Sequence, residues 1–219
     1  MFSKKIISTI LLTAAVTLSG CASHAKIERK TLNSVSIPAM YEKTINNEIF
    51  YSQPVPGVFN GKEMQDVQPL EDVQLSVASA EVMDGIDNLL ARHKPLNTTV
   101  TDGNADYLLR VTIIANDKKG PVYGDHEFMK SVAKNMLTLG FAGSDYEIVS
   151  DFKITYELYQ DNQLLHQKTL KMNDSYDHDS GFIEFNKFEN VDKASRAAFE
   201  KHIGESITTF YQEAKSKMS

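Results

Sequence analysis

The densest group of chemically capable side chains in the 219-residue chain is Asp174, Asp177, His178 and Asp179. Carboxylate oxygens bind hard cations such as calcium, and a carboxylate can also orient a histidine that acts as a general base. The spacing does not match an EF-hand loop, because the required acid or amide pattern and the terminal Glu are missing. Since turn-forming residues fill this stretch, we predict a solvated loop there, with adventitious or structural cation binding as the alternative.

The other histidines form no catalytic motif. His93 lies on the apolar face of a predicted helix, His202 stands beside Ile203, and His166 has no acid or nucleophile at motif distance. The G-x-S-x-G, H-E-x-x-H, P-loop and dinucleotide-binding signatures do not occur in the sequence. We therefore expect no enzymatic activity, no catalytic residue, no metal site and no cofactor.

The amino terminus has the three parts of a secretory signal. Lys4 and Lys5 form the charged start, residues 6–18 form an apolar run, and small residues follow it. A run of about 13 residues is too short to cross the hydrocarbon core of a bilayer, which needs about 20 helical residues. Residues 1–20 are therefore predicted to be a cleaved signal peptide rather than a transmembrane span.

The end of this signal, Leu18-Ser19-Gly20-Cys21, resembles the lipobox of bacterial lipoproteins. The resemblance implies cleavage between Gly20 and Cys21, a diacylglyceryl thioether on Cys21, and acylation of the new amino terminus. By the sorting rule of such lipoproteins, Ala22 implies an anchor in the outer membrane that faces the periplasm. Two or three acyl chains hold a protein stably on a membrane, and this anchor would consume the only cysteine of the chain.

The charge balance argues against nucleic acid as a partner. The chain has 23 basic and 29 acidic residues, and loss of two lysines with the signal changes its net charge from −6 to −8. Nucleic-acid binding depends on neutralisation of phosphates by basic residues, and this sequence has no basic run. We expect its partners to be the membrane, reached through the lipid on Cys21, and an envelope protein.

Hydrophobic patterning predicts a lipidated tether over residues 21–32 and a single α+β domain over 33–219. We expect a mixed, mainly antiparallel sheet with a long C-terminal hairpin and helices packed on one face. The first predicted elements are an edge strand in Asn33–Met40 and a long loop over 41–69 with a short strand at Ile49-Phe50-Tyr51. A helix over Leu75–His93 follows, between the N-cap Asp72 and the stop signal Pro95. The remaining elements are a strand over Tyr107–Ala115, a helix near Met129–Leu139, a hairpin over Tyr146–Tyr159 and Leu164–Met172, and a helix over Val191–Lys217.

Two stretches loosely resemble small periplasmic lipoprotein domains of the TolB amino-terminal, CsgG-like and penicillin-binding-protein-activator kinds. These are the run Ala105–Val111 and the hairpin Tyr146–Met172 with the helix that follows it. The resemblance covers about residues 70–217 and transfers no functional residue. It implies an α+β fold.

With the lipobox, these features favour a non-enzymatic accessory lipoprotein that scaffolds or modulates a cell-envelope complex. We expect it to contact its partner through the strand near Val35 and through Tyr51 and Phe59, because aromatic residues near rigid prolines make good anchors. Strand addition is the expected binding mode. A carrier or sensor that holds an apolar or lipid ligand between the sheet and a helix over 126–139 is the second hypothesis. An envelope hydrolase is the third.

Overall fold

The computed structural model describes residues 25, 27–28, 32–57, 62–127, 144–180 and 187–218. Within these ranges the regular elements are the strands β1 Thr44–Ser52, β2 Gln68–Pro69, β3 Thr99–Val100, β4 Tyr107–Ala115, β5 Val122–His126, β6 Ser144–Gln160 and β7 Gln163–Ser180, and the helices α1 Val77–Met83, α2 Ile86–Arg92 and α3 Lys187–Lys217. In the same ranges no helix is both long enough and apolar enough to span a bilayer.

The strands form one sheet around the long hairpin of β6 and β7. β7 pairs antiparallel with β6 over its whole length, while β4 and β5 lie end to end along the other side of β6. β1 runs parallel to β4, and the short strands β2 and β3 pair with β1. The prediction of an α+β fold with a mixed, mainly antiparallel sheet and a long C-terminal hairpin is confirmed.

Alternation of side chains builds the hairpin. Every second residue of β6 from Tyr146 to Leu158 is buried, as the period-two pattern predicts. Asp161 and Asn162 join the strands with φ angles of 49° and 61°, the left-handed values that a two-residue hairpin turn needs and that Asp and Asn tolerate. β7 does not stop near Met172, because its residues continue to pair with β6 as far as Ser180.

The helix α3 covers the inward face of this sheet. Its spacing of apolar residues predicts a buried stripe, and all five predicted members are buried: Phe199, Ile203, Ile207, Phe210 and Ala214. The rings of Phe152 and Phe199 lie 5.8 Å apart between centroids, and those of Tyr156 and Phe210 lie 5.3 Å apart. Burial of a large apolar side chain contributes about 1.5–3 kcal/mol, so this layer is the main apolar support of the hairpin.

The predicted helix over Leu75–His93 is two helices instead of one. Ser76 rather than Asp72 is the N-cap, because its side chain accepts a hydrogen bond from the Ser79 amide. Gly85 has a φ angle of 76°, in the left-handed region that ends helices and favours glycine. The chain therefore turns between α1 and α2, and α2 ends at Arg92, before Pro95.

Two further differences concern the first strands. The predicted edge strand in Asn33–Met40 is wrong, since this segment is irregular and ends in a 3-10 turn at Pro38–Met40 that buries Ile37 and Met40. The short strand predicted at Ile49-Phe50-Tyr51 is the middle of the nine-residue β1. The predicted helix near Met129–Leu139 lies outside the described residues, and so do Gly20, Cys21 and Phe59.

Candidate functional site

The predicted acidic and histidine cluster belongs to β7, so the solvated-loop prediction is wrong. Pairing sets Asp174 opposite Ser150 and Asp177 opposite Glu147. Alternation then directs Asp174 and His178 towards α3 and Asp177 towards the opposite face. The four residues therefore do not converge on one point. Among the described residues, no group of three or more His, Cys, Asp and Glu side chains is arranged to hold a metal ion.

Asp174, whose side chain is 43% exposed, joins a hydrogen-bond network that includes the buried residues His202 and Ser150. Nε2 of His202 lies 3.0 Å from the Ser150 hydroxyl and 3.0 Å from a carboxylate oxygen of Asp174. In a serine–histidine–aspartate catalytic triad, one imidazole nitrogen faces the serine and the other faces the carboxylate. Here the same nitrogen meets both groups, and the Ser150 side chain is fully buried. This geometry is that of polar contacts that hold the helix on the strands, not that of an activated nucleophile.

The network continues from Asp174 to the surface of α3. The Tyr176 hydroxyl donates to the second Asp174 oxygen at 3.0 Å, and the Lys201 ammonium donates to the Tyr176 hydroxyl at 3.1 Å. Burial lowers the pKa of His202, which opposes the raising effect of Asp174. The neutral imidazole is therefore the favoured form. No partner of His202 is visible in the sequence, because Ser150 and Asp174 reach it only through strand register.

A second histidine supports the other end of the same layer. His166 stacks on Phe210 with 4.9 Å between ring centroids and 12° between ring planes. Its Nδ1 lies 3.0 Å from the Lys217 ammonium, and its Nε2 lies 3.5 Å from a Glu213 oxygen. Burial is the main cause that lowers the pKa of His166. His202 and His166 thus both fasten β7 to α3.

The outward face of the sheet carries a different arrangement, which we call the aromatic–arginine row: Phe50, Arg110 and Tyr159. The guanidinium carbon of Arg110 lies 5.2 Å from the Phe50 ring centroid and 5.6 Å from the Tyr159 centroid. Arg110 also donates two hydrogen bonds to one Glu48 oxygen, at 3.0 and 3.2 Å. Its side chain is 38% exposed, so the row is held in place while it still faces solvent.

Neighbouring strands position this row. β1 supplies Phe50, β4 supplies Arg110, and β6 supplies Tyr159, in three adjacent strands of the sheet. The register sets Arg110 between Glu48 and Glu157, both of which carry opposite charge. This site is not visible in the sequence, because Phe50 and Arg110 are 60 residues apart, Arg110 and Tyr159 are 49 apart, and only strand pairing brings them together.

Tyr51 is a core residue rather than the partner-contact residue that the sequence suggested. Its side chain is fully buried, and its hydroxyl donates to the side-chain oxygen of Gln53 at 2.9 Å. Burial raises the pKa of the Tyr51 phenol. In β1 the neighbouring Phe50, not Tyr51, points to the outward face.

The carrier hypothesis needs apolar space between the sheet and the predicted helix over 126–139, whereas the apolar layer in the described residues lies between the sheet and α3. Between the sheet and α3, the side chains of Phe152, Tyr156, Phe199 and Phe210 pack against one another. The helix that was expected to cover a ligand lies outside the described residues. Ligand carriage therefore stays a prediction.

No protein-family model matches the chain. No curated protein matches it in sequence.

Solved structures resemble it weakly. A DUF330-family protein from Xanthomonas campestris is 10% identical, with a TM-score of 0.39, and the match covers 89% of this chain and 100% of that one. A neuraminyllactose-binding hemagglutinin homolog from Helicobacter pylori is 8% identical, with a TM-score of 0.41 and coverage of 89% and 97%. A minor lipoprotein from Acinetobacter baumannii is 9% identical, with a TM-score of 0.36 and coverage of 81% and 93%. All three TM-scores are below 0.5, so no property is transferred from these proteins.

Proposed function

We propose that this chain is a lipid-anchored accessory lipoprotein of the bacterial cell envelope. Cys21 would hold it on the periplasmic face of the outer membrane, and the aromatic–arginine row would bind an envelope protein. The lipobox-like end of the signal, Leu18-Ser19-Gly20-Cys21, supports the anchor. The proposed role of the protein is to scaffold or modulate an envelope complex rather than to catalyse a reaction.

The observation that carries the binding role is the position of Arg110 between two aromatic rings on a solvent-facing sheet. Tyrosine and arginine are enriched at the energetically dominant positions of protein interfaces, and aromatic residues in general are enriched at interfaces. Because the rings and Glu48 already hold the guanidinium, a partner would not need to order this long side chain. Such preorganisation reduces the entropic cost of association.

The buried network under α3 supports a role other than catalysis. A reacting serine needs a base on one side and access for a substrate on the other. Ser150 is fully buried, and His202 shares one nitrogen between Ser150 and Asp174. The outward face, with its partly exposed rings and paired charges, is the better candidate for molecular recognition.

The test is site-specific photo-crosslinking in cells. A photoreactive residue at Thr112, which lies beside Phe50 in the β1–β4 pairing, should capture one dominant envelope protein. The matched control is the exposed Thr209 on α3, from which we expect no comparable adduct. Equal adducts from both positions, or none from Thr112, would refute the proposed contact surface.

Lipid attachment is tested separately on the same cells. Intact-mass measurement of the purified protein should show a chain that begins at Cys21 with acyl groups, and the Cys21→Ala variant should lose them. That variant should also leave the membrane fraction. An unmodified Cys21 would refute the proposed anchor whatever the crosslinks show.

A further inference from the structure

The described residues closest to the predicted lipid anchor are fixed to the domain. The amide of Ala25 donates a hydrogen bond to Nδ1 of His178, near the end of β7, at 3.2 Å. Ala25 and Ile27 pack against the hydrophobic core. A cavity of about 330 Å³ at this point is lined by these two residues, by His178 and by the first turns of α3. The contact ties the start of the mature chain to one end of the hairpin.

The link from this contact to the anchor is short. Cys21 and Ala25 are four residues apart, and a fully extended chain covers at most about 14 Å over that separation. The lipid-bearing residue can therefore lie no farther than this from Ala25. A tether that was free from residue 21 to residue 32 would reach about 40 Å.

The hairpin is much longer than the link. Fifteen residues separate His178 from Gln163 along β7, which corresponds to about 50 Å. The part of β7 that pairs with Glu157, beside the aromatic–arginine row, is Gln167, about 36 Å from His178. The two ends of the hairpin therefore differ greatly in how close they can come to the anchor.

An exposed aromatic residue and a group of acidic residues at the His178 end of the hairpin indicate which kind of lipid surface this end can contact. Val191 approaches Gly124 of β5, so α3 begins at this end, and nearby Phe188 is 66% exposed. Phenylalanine, like Trp and Leu, is typical of the apolar side of helices that lie at a membrane interface. On the outward face, Asp125, Glu147 and Asp177 are neighbours across three strands. Lys119 forms an ion pair with Asp125 and offsets part of this charge, but the group stays net negative, which disfavours an anionic lipid surface.

From these contacts we infer that the His178 end of the hairpin rests on a zwitterionic lipid surface, while the Asp161–Asn162 turn points away from it. The molecule then acts as an upright spacer that presents the aromatic–arginine row about 35 Å from the bilayer. This inference rests on the proposed lipid anchor at Cys21 and adds the orientation of the domain to it.

The experiment measures energy transfer from labelled protein to lipid. The lipid on Cys21 occupies the only native thiol, so a single engineered cysteine can be labelled in the full-length lipidated chain. Ser175→Cys and Gln163→Cys place donors at two exposed positions of β7. The protein is reconstituted in phosphatidylcholine vesicles that carry an acceptor dye on some of their headgroups.

We expect transfer from position 175 to exceed transfer from position 163 by at least about threefold, because about 40 Å of strand separates them. Insertion of about twenty Gly and Ser residues between Ser23 and His24 lengthens the link without touching Ala25. This variant should still float with the vesicles, while the difference between the two positions becomes smaller.

Equal transfer from both positions in the native-length chain would overturn the upright orientation, and so would greater transfer from position 163. A difference that survives the insertion would overturn the role of the short link. If the protein carries no lipid on Cys21 and does not float, both the proposed anchor and this inference fail. If it floats without a difference in transfer, only the inference fails.

Discussion

The inward and outward faces of the hairpin share one backbone but differ in what they place on it. Inward residues such as Phe152, Tyr156 and His166 pack under α3 and are buried. Outward residues such as Thr155 and Tyr159 face solvent to a greater degree, and Tyr159 belongs to the aromatic–arginine row. Because alternation separates the two sets, substitutions on one face should change stability and those on the other should change recognition.

The largest expected difference compares two phenylalanines. Phe210 is fully buried between Tyr156 and His166, so Phe210→Ala should lower the free energy of unfolding by about 3–5 kcal/mol. Phe50 is half-exposed on the outward face, and Phe50→Ala should cost less than about 1 kcal/mol. Urea denaturation followed by circular dichroism measures both. Equal losses would contradict the division between the faces.

A smaller effect is expected for two neighbours in β5. A Cβ atom added to Gly124 would lie 2.2 Å from Cγ1 of Val191, so Gly124→Ala forces the Val191 side chain or α3 to move and should cost about 1–3 kcal/mol. Asp125 is exposed, and its ion pair with Lys119 at 2.7 Å is also exposed. Asp125→Ala should therefore change stability little. If Asp125→Ala lowered the melting temperature more than Gly124→Ala does, our assignment of the two faces would be reversed.

The buried histidines should make stability depend on pH. Burial lowers the pKa of His202 and of His166 below the ordinary 6.5, so the unfolded chain binds protons that the folded chain does not. The stability that the two neutral histidines contribute is fully present above about pH 6.5. It is lost as the pH falls from there through their lowered folded-state pKa values. The melting temperature should therefore be lower at pH 5.5 than at pH 7.5.

Replacement of one histidine should separate this effect from general acid sensitivity. His202→Gln should reduce the change in melting temperature between the two pH values, since one of the titrating groups is gone. His126 is exposed, and His126→Gln serves as the matched control for the replacement of a surface imidazole. An identical pH profile for His202→Gln and the parent protein would exclude His202 as a source of the effect.

The smallest expected change in stability is that of Arg110→Ala. The ion pair with Glu48 and both ring contacts lie on a half-exposed surface, where solvent screens them, and together they should contribute about 1 kcal/mol. The unfolding free energy should therefore stay close to that of the parent protein, as urea denaturation can show. A loss as large as that of Phe210→Ala would mean that the outward face also supports the fold.

Local patterns in the sequence predict the elements whose periodicity is regular. Alternation in β6 and the apolar stripe of α3 are visible without a structure, and both are confirmed. The break at Gly85 agrees with the preference of glycine for left-handed backbone, but the apolar spacing continues across it and hides it. The extension of β7 through Asp174 is not predicted, because pairing with β6 overrides the local preference of its residues. Pairing with β6 keeps a stretch rich in turn-forming residues extended.

The candidate sites were harder to predict than the fold. Tyr51 was selected because it is aromatic and near prolines, although it lies two residues after Ile49 and therefore shares the inward face of β1. The parity of positions in a correctly bounded strand would have pointed to Phe50 instead. The contact of Arg110 with Tyr159 depends on the pairing of β4 with β6, which no single local pattern contains.

The most direct test of the account is the yield of the in-cell crosslink from Thr112 after replacement of Arg110. At equal protein level, Arg110→Ala should reduce the yield by about tenfold, as expected for a dominant interface residue. The control, Lys193→Ala, removes an exposed charge from α3 and should leave the yield unchanged. An undiminished crosslink in the Arg110→Ala variant would contradict the claim that the aromatic–arginine row binds the partner.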